Sequence, residues 1–251
     1  MKKYFIVSDV HSFYNELMLA LDEKGFEADN LEHILCVCGD LFDRGPDTVK
    51  VFEFAKELQE QGRLIYVRGN HEWLLQECVK EIRRGDIPGW HHFSNGTVRT
   101  ICSFCNQNEW IIYEPTWSDK ICATMQPILD FINKNCVNCV EIGDYVLVHG
   151  WIPSFNHLED FRDGDESDWD EAMWLNGMDM WRNPACRLEG KTVICGHFHA
   201  NWGHAHIHNE CSEWGEDAIF EPFVDDGIIA IDACTAHSGK VNVVVMEVEI
   251  S

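Results

Sequence analysis

The sequence predicts an α/β fold in one domain, and three observations carry that expectation. Short apolar runs at 4–7, 34–37 and 63–67 each stop abruptly at Ser, Gly or Arg and then at Asp, His or Asn. Stretches with apolar residues at helical spacing separate those runs, which is how strands and helices alternate around a parallel sheet. At 251 residues the chain is long enough to bury one sizeable core. In open α/β sheets the loops leaving the carboxyl ends of strands carry the sites. The residues that close these runs are therefore the first candidates for chemistry.

The run at 4–7 delivers Ser8-Asp9-Val10-His11-Ser12. Residues two apart share a face in extended backbone, so Asp9 and His11 converge on one point and suit a divalent metal. A helix with Leu17 and Leu21 on its apolar side follows. The second run, Ile34-Leu35-Cys36-Val37, ends in Cys38-Gly39-Asp40-Leu41-Phe42-Asp43-Arg44-Gly45. Asp47 then caps a plain helix over 48–61, packed by Val51, Ala55 and Leu58. The strand at 63–67 ends in Arg68-Gly69-Asn70-His71-Glu72. Asn offers a neutral oxygen, His a nitrogen or a proton, and Arg a fixed fork for phosphate oxygens.

Taken in order, Asp9-x-His11, Gly39-Asp40-x-x-Asp43-Arg44-Gly45 and Gly69-Asn70-His71-Glu72 resemble the motifs of the calcineurin-like metallophosphoesterases. The Asp-Arg-Gly and Gly-Asn-His-Glu forms are similar to the phosphoprotein phosphatase branch. That branch includes bacterial serine/threonine phosphatases and symmetrical diadenosine tetraphosphatases. The resemblance implies two mixed β-sheets packed face to face and flanked by helices, a four-layer sandwich. It also implies further histidines in the second half of the chain.

Those histidines arrive on cue. A turn at Gly143-Asp144 and a strand from Tyr145 lead to His149, and a strand over 191–195 delivers Gly196-His197-Phe198-His199. The resemblance implies that Asp9, His11 and His199 hold one divalent ion, that Asn70, His149 and His197 hold a second, and that Asp40 bridges both. His199 is a feature of the broader superfamily rather than of the phosphoprotein phosphatase branch. The mixed Asp, Asn and His donors suit Mn, Fe or Zn. Two such ions lower the pKa of a shared water, so hydroxide attacks phosphorus directly and no covalent phosphoenzyme is needed. By the same resemblance His71 is the general acid, Asp43 orients it, and Arg44 grips the phosphoryl oxygens, with Arg68 and Asn70 as further substrate contacts.

Single-domain organisation over 1–251 leaves two insertions, a helical one at about 73–135 and an acidic, Trp-rich one at about 153–188. Within the first, Trp90, His91 and His92 read as packing and surface, with a substrate rim as the alternative, Asn95-Gly96-Thr97 resembles a turn of bacterial relatives, and a short helix is expected over 127–133. Within the second, Trp174-Leu175-Asn176 lacks the arginine that relatives place after a Trp; Arg162, Arg182 and Arg187 are the substitutes in reach. His204, His206 and His208 alternate in a loop or edge strand, and His237 lies in a loop expected to return to the site. Strands over 228–232 and 241–248 complete the sheets.

Lys plus Arg number 19 against 43 for Asp plus Glu, a net charge of −24. Such a surface repels phosphate backbones and anionic leaflets, which argues against nucleic acid and membrane as partners. No stretch reads as a membrane span or a signal peptide, and a cytoplasmic protein is expected. The 12 cysteines are expected to be reduced. The pairs Cys102/Cys105 and Cys136/Cys139 are too widely separated for a zinc ribbon. Substrates expected from this reading are phosphomonoesters on protein or a small molecule. The alternative is a symmetrical bis(5'-nucleosyl)-tetraphosphate.

Overall fold

Apolar runs too short to be helices form the sheets. The computed structural model describes residues 2–153, 158 and 160–248; positions 154–157 and 159 of the acidic insertion lie outside the described residues. The first half runs β1 (Lys2–Val7), α1 (Tyr14–Glu23), β2 (His33–Cys38), α2 (Thr48–Glu60), β3 (Leu64–Val67) and α3 (Asn70–Arg83). The first insertion then folds as α4 (Trp90–Ser94), α5 (Thr97–Phe104) and α6 (Ser118–Asn135), and leads into β4 (Cys136–Val137). After β5 (Val140–Ile142) and β6 (Tyr145–Leu147), the acidic insertion contributes α7 (Glu166–Ala172) and α8 (Gly177–Arg182). The chain closes with β7 (Thr192–His199), α9 (Ala200–Gly203), β8 (Phe223–Asp225), β9 (Ile228–Asp232), α10 (Thr235–Ser238) and β10 (Val244–Val248).

One sheet has the order β10-β1-β2-β3-β4 and the other β5-β6-β7-β9-β8. β1 to β4 are mutually parallel with β10 antiparallel at the edge, while β6, β7 and β9 are parallel and flanked by antiparallel β5 and β8. Both sheets are therefore mixed. Ile6, Cys36 and Val67 of the first sheet pack against Leu147, Ile194 and Ile231 of the second, which places a core between the sheets. The outer face of the first sheet packs on α1, α2, α3, α5 and α6, and that of the second on Trp169, Ala172, Met178 and Trp181. Helix, sheet, sheet and helix make the four layers expected.

Four local expectations are corrected. α6 is far longer than 127–133 and runs through Pro127. A mid-helix proline costs about 3 kcal/mol, and the buried stripe Ile121, Met125, Ile128, Leu129 and Ile132 outweighs it. His204–His208 form a π-helical turn rather than a loop or strand. Asp47 makes no side-chain cap; its Oδ1 takes Lys50 Nζ at 2.7 Å instead. The strands β4 and β8 were not anticipated, because two and three residues are too few to show a period. Among the described residues no helix is long and apolar enough to cross a membrane. All the cysteines are free, and Cys102 and Cys139 belong to cores on opposite sides of the molecule.

Candidate active site

Side chains from the carboxyl ends of β1, β2, β3, β6, β7 and β9 meet at one end of the sandwich. The backbone there is not extended. Asp9, His11, Ser12, Asp40, Asp43, Arg44 and His197 all have positive φ, between 50° and 75°. Left-handed backbone is costly outside glycine and concentrates where surrounding structure enforces it for function. Asp9 and His11 therefore converge by a different route from the shared face of a strand: Asp9 Oδ1 lies 3.8 Å from His11 Nε2. Gly39, Gly69 and Gly196 are required for close approach, since a Cβ on them would run into His149, Asp40 and Ser8 or Asp9, respectively.

Asp40 is central. It is 1 % exposed, its Oδ2 lies 3.8 Å from His11 Nε2 and 3.7 Å from His71 Nε2, and its Oδ1 lies 3.3 Å from His149 Nε2. Two groups of donors, each compact enough for one ion, share it: His11, Asp40 and His71, and Asp40, His149 and His197. Asn70 Oδ1 joins the second group, 2.8 Å from His149 Nε2 and 3.0 Å from His197 Nδ1. Asp9 stands beside the first, its Oδ2 held by Ser8 Oγ and by the His197 N–H at 2.9 Å.

The donor set fits divalent metal ions on a specific observation. His11 Nδ1 lies 2.9 Å from the Phe42 carbonyl, which only accepts, so Nδ1 carries the proton and Nε2 a lone pair. That Nε2 is buried without a hydrogen-bond partner and faces two carboxylates. A lone pair aimed at carboxylates is repulsive unless a cation lies between them. His149 is oriented the same way, with Nδ1 on the Cys38 carbonyl at 2.8 Å and Nε2 turned inward. Burial and the neighbouring Asp232 push the Asp9 carboxyl well above its usual range. Burial opposes the charge on Asp40 too, but His149 and His71 outweigh it and hold that carboxyl well below its usual range. Burial and the neighbouring His149 push His197 down to about 3.

Beside this cluster sits an acid–base pair. His71 Nδ1 donates to Asp43 Oδ2 at 2.7 Å, and Arg44 Nη2 donates to His71 Nε2 at 3.2 Å. Burial works against a charged His71, yet Asp40 and Asp43 together raise its pKa. Asp43 is itself gripped by α5: Thr97 Oγ1 donates to Oδ2 at 2.9 Å and Thr100 Oγ1 to Oδ1 at 2.6 Å. Their i, i+3 spacing puts both hydroxyls on one face of the helix. Gly96, at φ +91°, lets that helix begin against Arg44, where a Cβ would lie 2.6 Å from its nitrogen.

Glu72 is the other residue whose role went unread. Fully buried, it accepts Asp40 N at 2.9 Å and Gly69 N at 2.8 Å on Oε2, and Leu41 N at 3.0 Å and Tyr66 Oη at 2.7 Å on Oε1. It fastens the loop after β2 to the loop after β3. Asp232, at the end of β9, is a buried carboxylate near Asp9 that receives the Cys234 N–H at 2.7 Å.

Several sequence candidates stand elsewhere. Arg68 is tied to Asp170 at 2.5 Å and lines a hollow with Asn138 and Trp169. His199 Nε2 lies 2.9 Å from Glu213 Oε1, and its main chain pairs with Asp232 at the end of β9. His206 shares Glu213, His204 pairs with Glu210 and His208 with Asp225, all away from the cluster. His237 packs between Trp214 and Phe220. Arg162 is engaged by Glu141 and Asp160, Arg182 by Asp179, and Arg187 stacks on Trp181. Trp174 packs edge-on against His197, and no arginine follows it.

Residues 2–238 match the family model for calcineurin-like phosphoesterases, nearly the whole chain. The chain belongs to the calcineurin-like phosphoesterases. Curated relatives include the asymmetrical bis(5'-nucleosyl)-tetraphosphatase PrpE of Bacillus velezensis, 36% identical over 74 residues, which are 27% of this chain and 30% of that protein. The symmetrical bis(5'-nucleosyl)-tetraphosphatase of Nitrosospira multiformis is 29% identical over 156 residues, covering 61% of this chain and 45% of its own length. The matches thus span about a third to a half of these relatives. Among solved structures, a cold-active protein tyrosine phosphatase of a psychrophilic Shewanella covers 98% of this chain and 76% of its own, with TM-score 0.52 and 17% identity. That likeness supports the phosphoesterase fold, in agreement with the two face-to-face sheets.

Proposed function

We propose that the chain is a dinuclear metal-dependent phosphatase that hydrolyses phosphomonoesters by direct attack of water. The observation that carries this reading is the orphaned Nε2 of His11 facing Asp9 and Asp40, with the His71–Asp43 pair alongside. Asp9, His11 and Asp40 would hold one ion, and Asp40, Asn70, His149 and His197 the other. His199 would add to the first set through Nδ1, with Glu213 orienting its ring as carboxylates orient metal-ligating histidines. Two divalent ions in such a site supply Lewis acidity and a water of lowered pKa.

The chain's own residues supply the rest. Arg44 moves from His71 Nε2 to the phosphoryl oxygens, a step that frees the ring nitrogen facing the reaction centre. With Nε2 free, His71 takes up a proton from solvent there, its charged form favoured by Asp40 and Asp43, and passes it from Nε2 to the leaving oxygen. Asp43, fixed by Thr97 and Thr100, keeps the ring in that orientation throughout.

A second reading, hydrolysis of a dinucleoside tetraphosphate, is favoured by one feature besides the names of the relatives. Trp90, Phe93 and Tyr113 form a near-parallel aromatic ladder, with centroids 6.1 and 6.2 Å apart, and Trp90 is 80% exposed. Tyr113 and Arg99 line one hollow of about 600 Å³, and Arg99 Nη1 donates to the Arg44 carbonyl at 3.3 Å. Stacked bases use such platforms, each worth about 1–3 kcal/mol. Assay of the Mn-reconstituted protein against p-nitrophenyl phosphate, a phosphopeptide and diadenosine tetraphosphate decides between the readings. Turnover of the monoesters supports the first, and exclusive cleavage of the dinucleotide to two ADP supports the second. Inactivity on all three overturns both.

A further inference from the structure

The helical insertion contains a second cluster of metal-ligating side chains that the phosphatase chemistry does not use. Glu81 lies on the last turns of α3, and His91 and His92 lie on α4. One ligand atom from each falls within 4.8 Å of the others. His92 is 0 % exposed, yet neither ring nitrogen has a hydrogen-bond partner. Its Nε2 stands 3.7 Å from Glu81 Oε2, too far for a hydrogen bond. Two ligands on a tetrahedral zinc ion with bonds of ~2.1 Å stand about 3.4 Å apart, so this gap is close to that of a ligand pair. An unpaired imidazole in the interior is costly, and a cation would satisfy it.

The surroundings favour a cation at this point. The two imidazole rings lie 4.0 Å apart, and His91 folds back over Gly89, where a side chain would meet its ring at 2.7 Å. The Gly89 N–H donates to Glu81 Oε2 at 2.9 Å, which fixes the carboxylate beside both rings. Burial and the adjacent His91 lower the pKa of His92, in the direction that favours the neutral form a ligand takes.

We propose that Glu81, His91 and His92 form a zinc-binding site separate from the catalytic cluster, with a fourth position open to water. Two imidazoles and one carboxylate are a donor set that zinc accepts with three protein ligands. The ion pins α4 to α3. Because α4 is joined through Asn95-Gly96 to the helix bearing Thr97 and Thr100, it also steadies the segment that grips Asp43.

The test is metal content and zinc-dependent melting of the full chain. Wild type, His91→Ala and Glu81→Gln are loaded with zinc, dialysed and measured by mass spectrometry. Neither substitution empties a core position, since His91 is exposed and Glu81 half-buried. Wild type is expected to retain one zinc equivalent more than either variant, with zinc affinity at this site falling at least tenfold in the variants. Zinc is expected to raise the melting temperature of wild type more than that of His91→Ala. Equal zinc content in all three proteins, or equal melting shifts, overturns the proposal. The readout is independent of turnover and so stands or falls apart from the phosphatase reading.

Discussion

The carboxylate of Glu72 holds the main chain of Asp40: its Oε2 accepts the Asp40 N–H at 2.9 Å while Oε1 accepts that of Leu41 at 3.0 Å. The central carboxylate of the site thus owes its position to a residue 32 places later in the chain. Glu72→Ala would leave three buried backbone donors and the Tyr66 hydroxyl unpaired. Each orphan costs about 1–3 kcal/mol, so the variant should lose on the order of 4 kcal/mol or more. Glu72→Gln, which turns a donor toward other donors, should lose about half as much. Urea unfolding checks this, and a variant within ~1 kcal/mol of wild type would show that the four bonds do not hold the two loops.

The two threonines beneath Asp43 give a prediction about catalysis rather than folding. Thr100→Val removes the donor to Asp43 Oδ1 and the acceptor of the Asp43 N–H at 3.1 Å, while keeping shape. The freed carboxylate no longer fixes the His71 ring, so kcat should fall about tenfold with KM nearly unchanged, as expected when proton transfer is impaired. Thr97→Val should do the same more weakly, since its bond is longer and single. A change in KM alone would mean that the threonines shape the substrate site and not the acid.

The difference between Asp43 and its threonines shows what the sequence could disclose. Asp9, Asp40, Asn70, His149 and His197 stood out because each follows an apolar run and falls in a motif resembling the calcineurin-like phosphoesterases, and the structure gathers them at one end of the sheets. Glu72, Thr97 and Thr100 act on backbone and side chains from other elements, and no spacing announces a partner tens of residues away. The convergence of Asp9 and His11 was legible, but its cause was not: left-handed backbone at both leaves no trace in composition. Arg68 has a partner that the sequence does not announce. A guanidinium after a strand reads as a phosphate grip, and only the fold reveals Asp170 beside it.

Arg44 is an exposed cation docked at 3.2 Å on Nε2 of His71, the proposed acid. Arg44→Ala should lower kcat/KM by about 10²–10³, the usual effect of losing a charge-stabilising donor. Arg44→Lys should recover only part of that, because an ammonium cannot offer two parallel donors. Stability should hardly change in either. Wild-type activity in Arg44→Ala would transfer the phosphate grip to another residue, with Arg99 the adjacent choice.

Asp40 tests the whole assembly, since each of its oxygens faces different histidines: Oδ2 faces His11 and His71, Oδ1 faces His149. Asp40→Asn preserves shape, and one amide oxygen can still accept the His71 N–H that Oδ1 now takes at 2.9 Å. The amide supplies neither the charge nor a second oxygen able to bind an ion, so two ions can no longer share it. The variant should remain folded by circular dichroism, bind fewer than two catalytic metal equivalents after Mn reconstitution, and lose at least about a thousandfold in turnover. Removing metal from wild type with a chelator should produce the same loss, reversed by Mn. A folded Asp40→Asn protein that keeps both its metal equivalents would show that Asp40 does not bridge the ions, and that role would have to be given to Asp9 or Asp232, two further buried carboxylates at this end of the sheets.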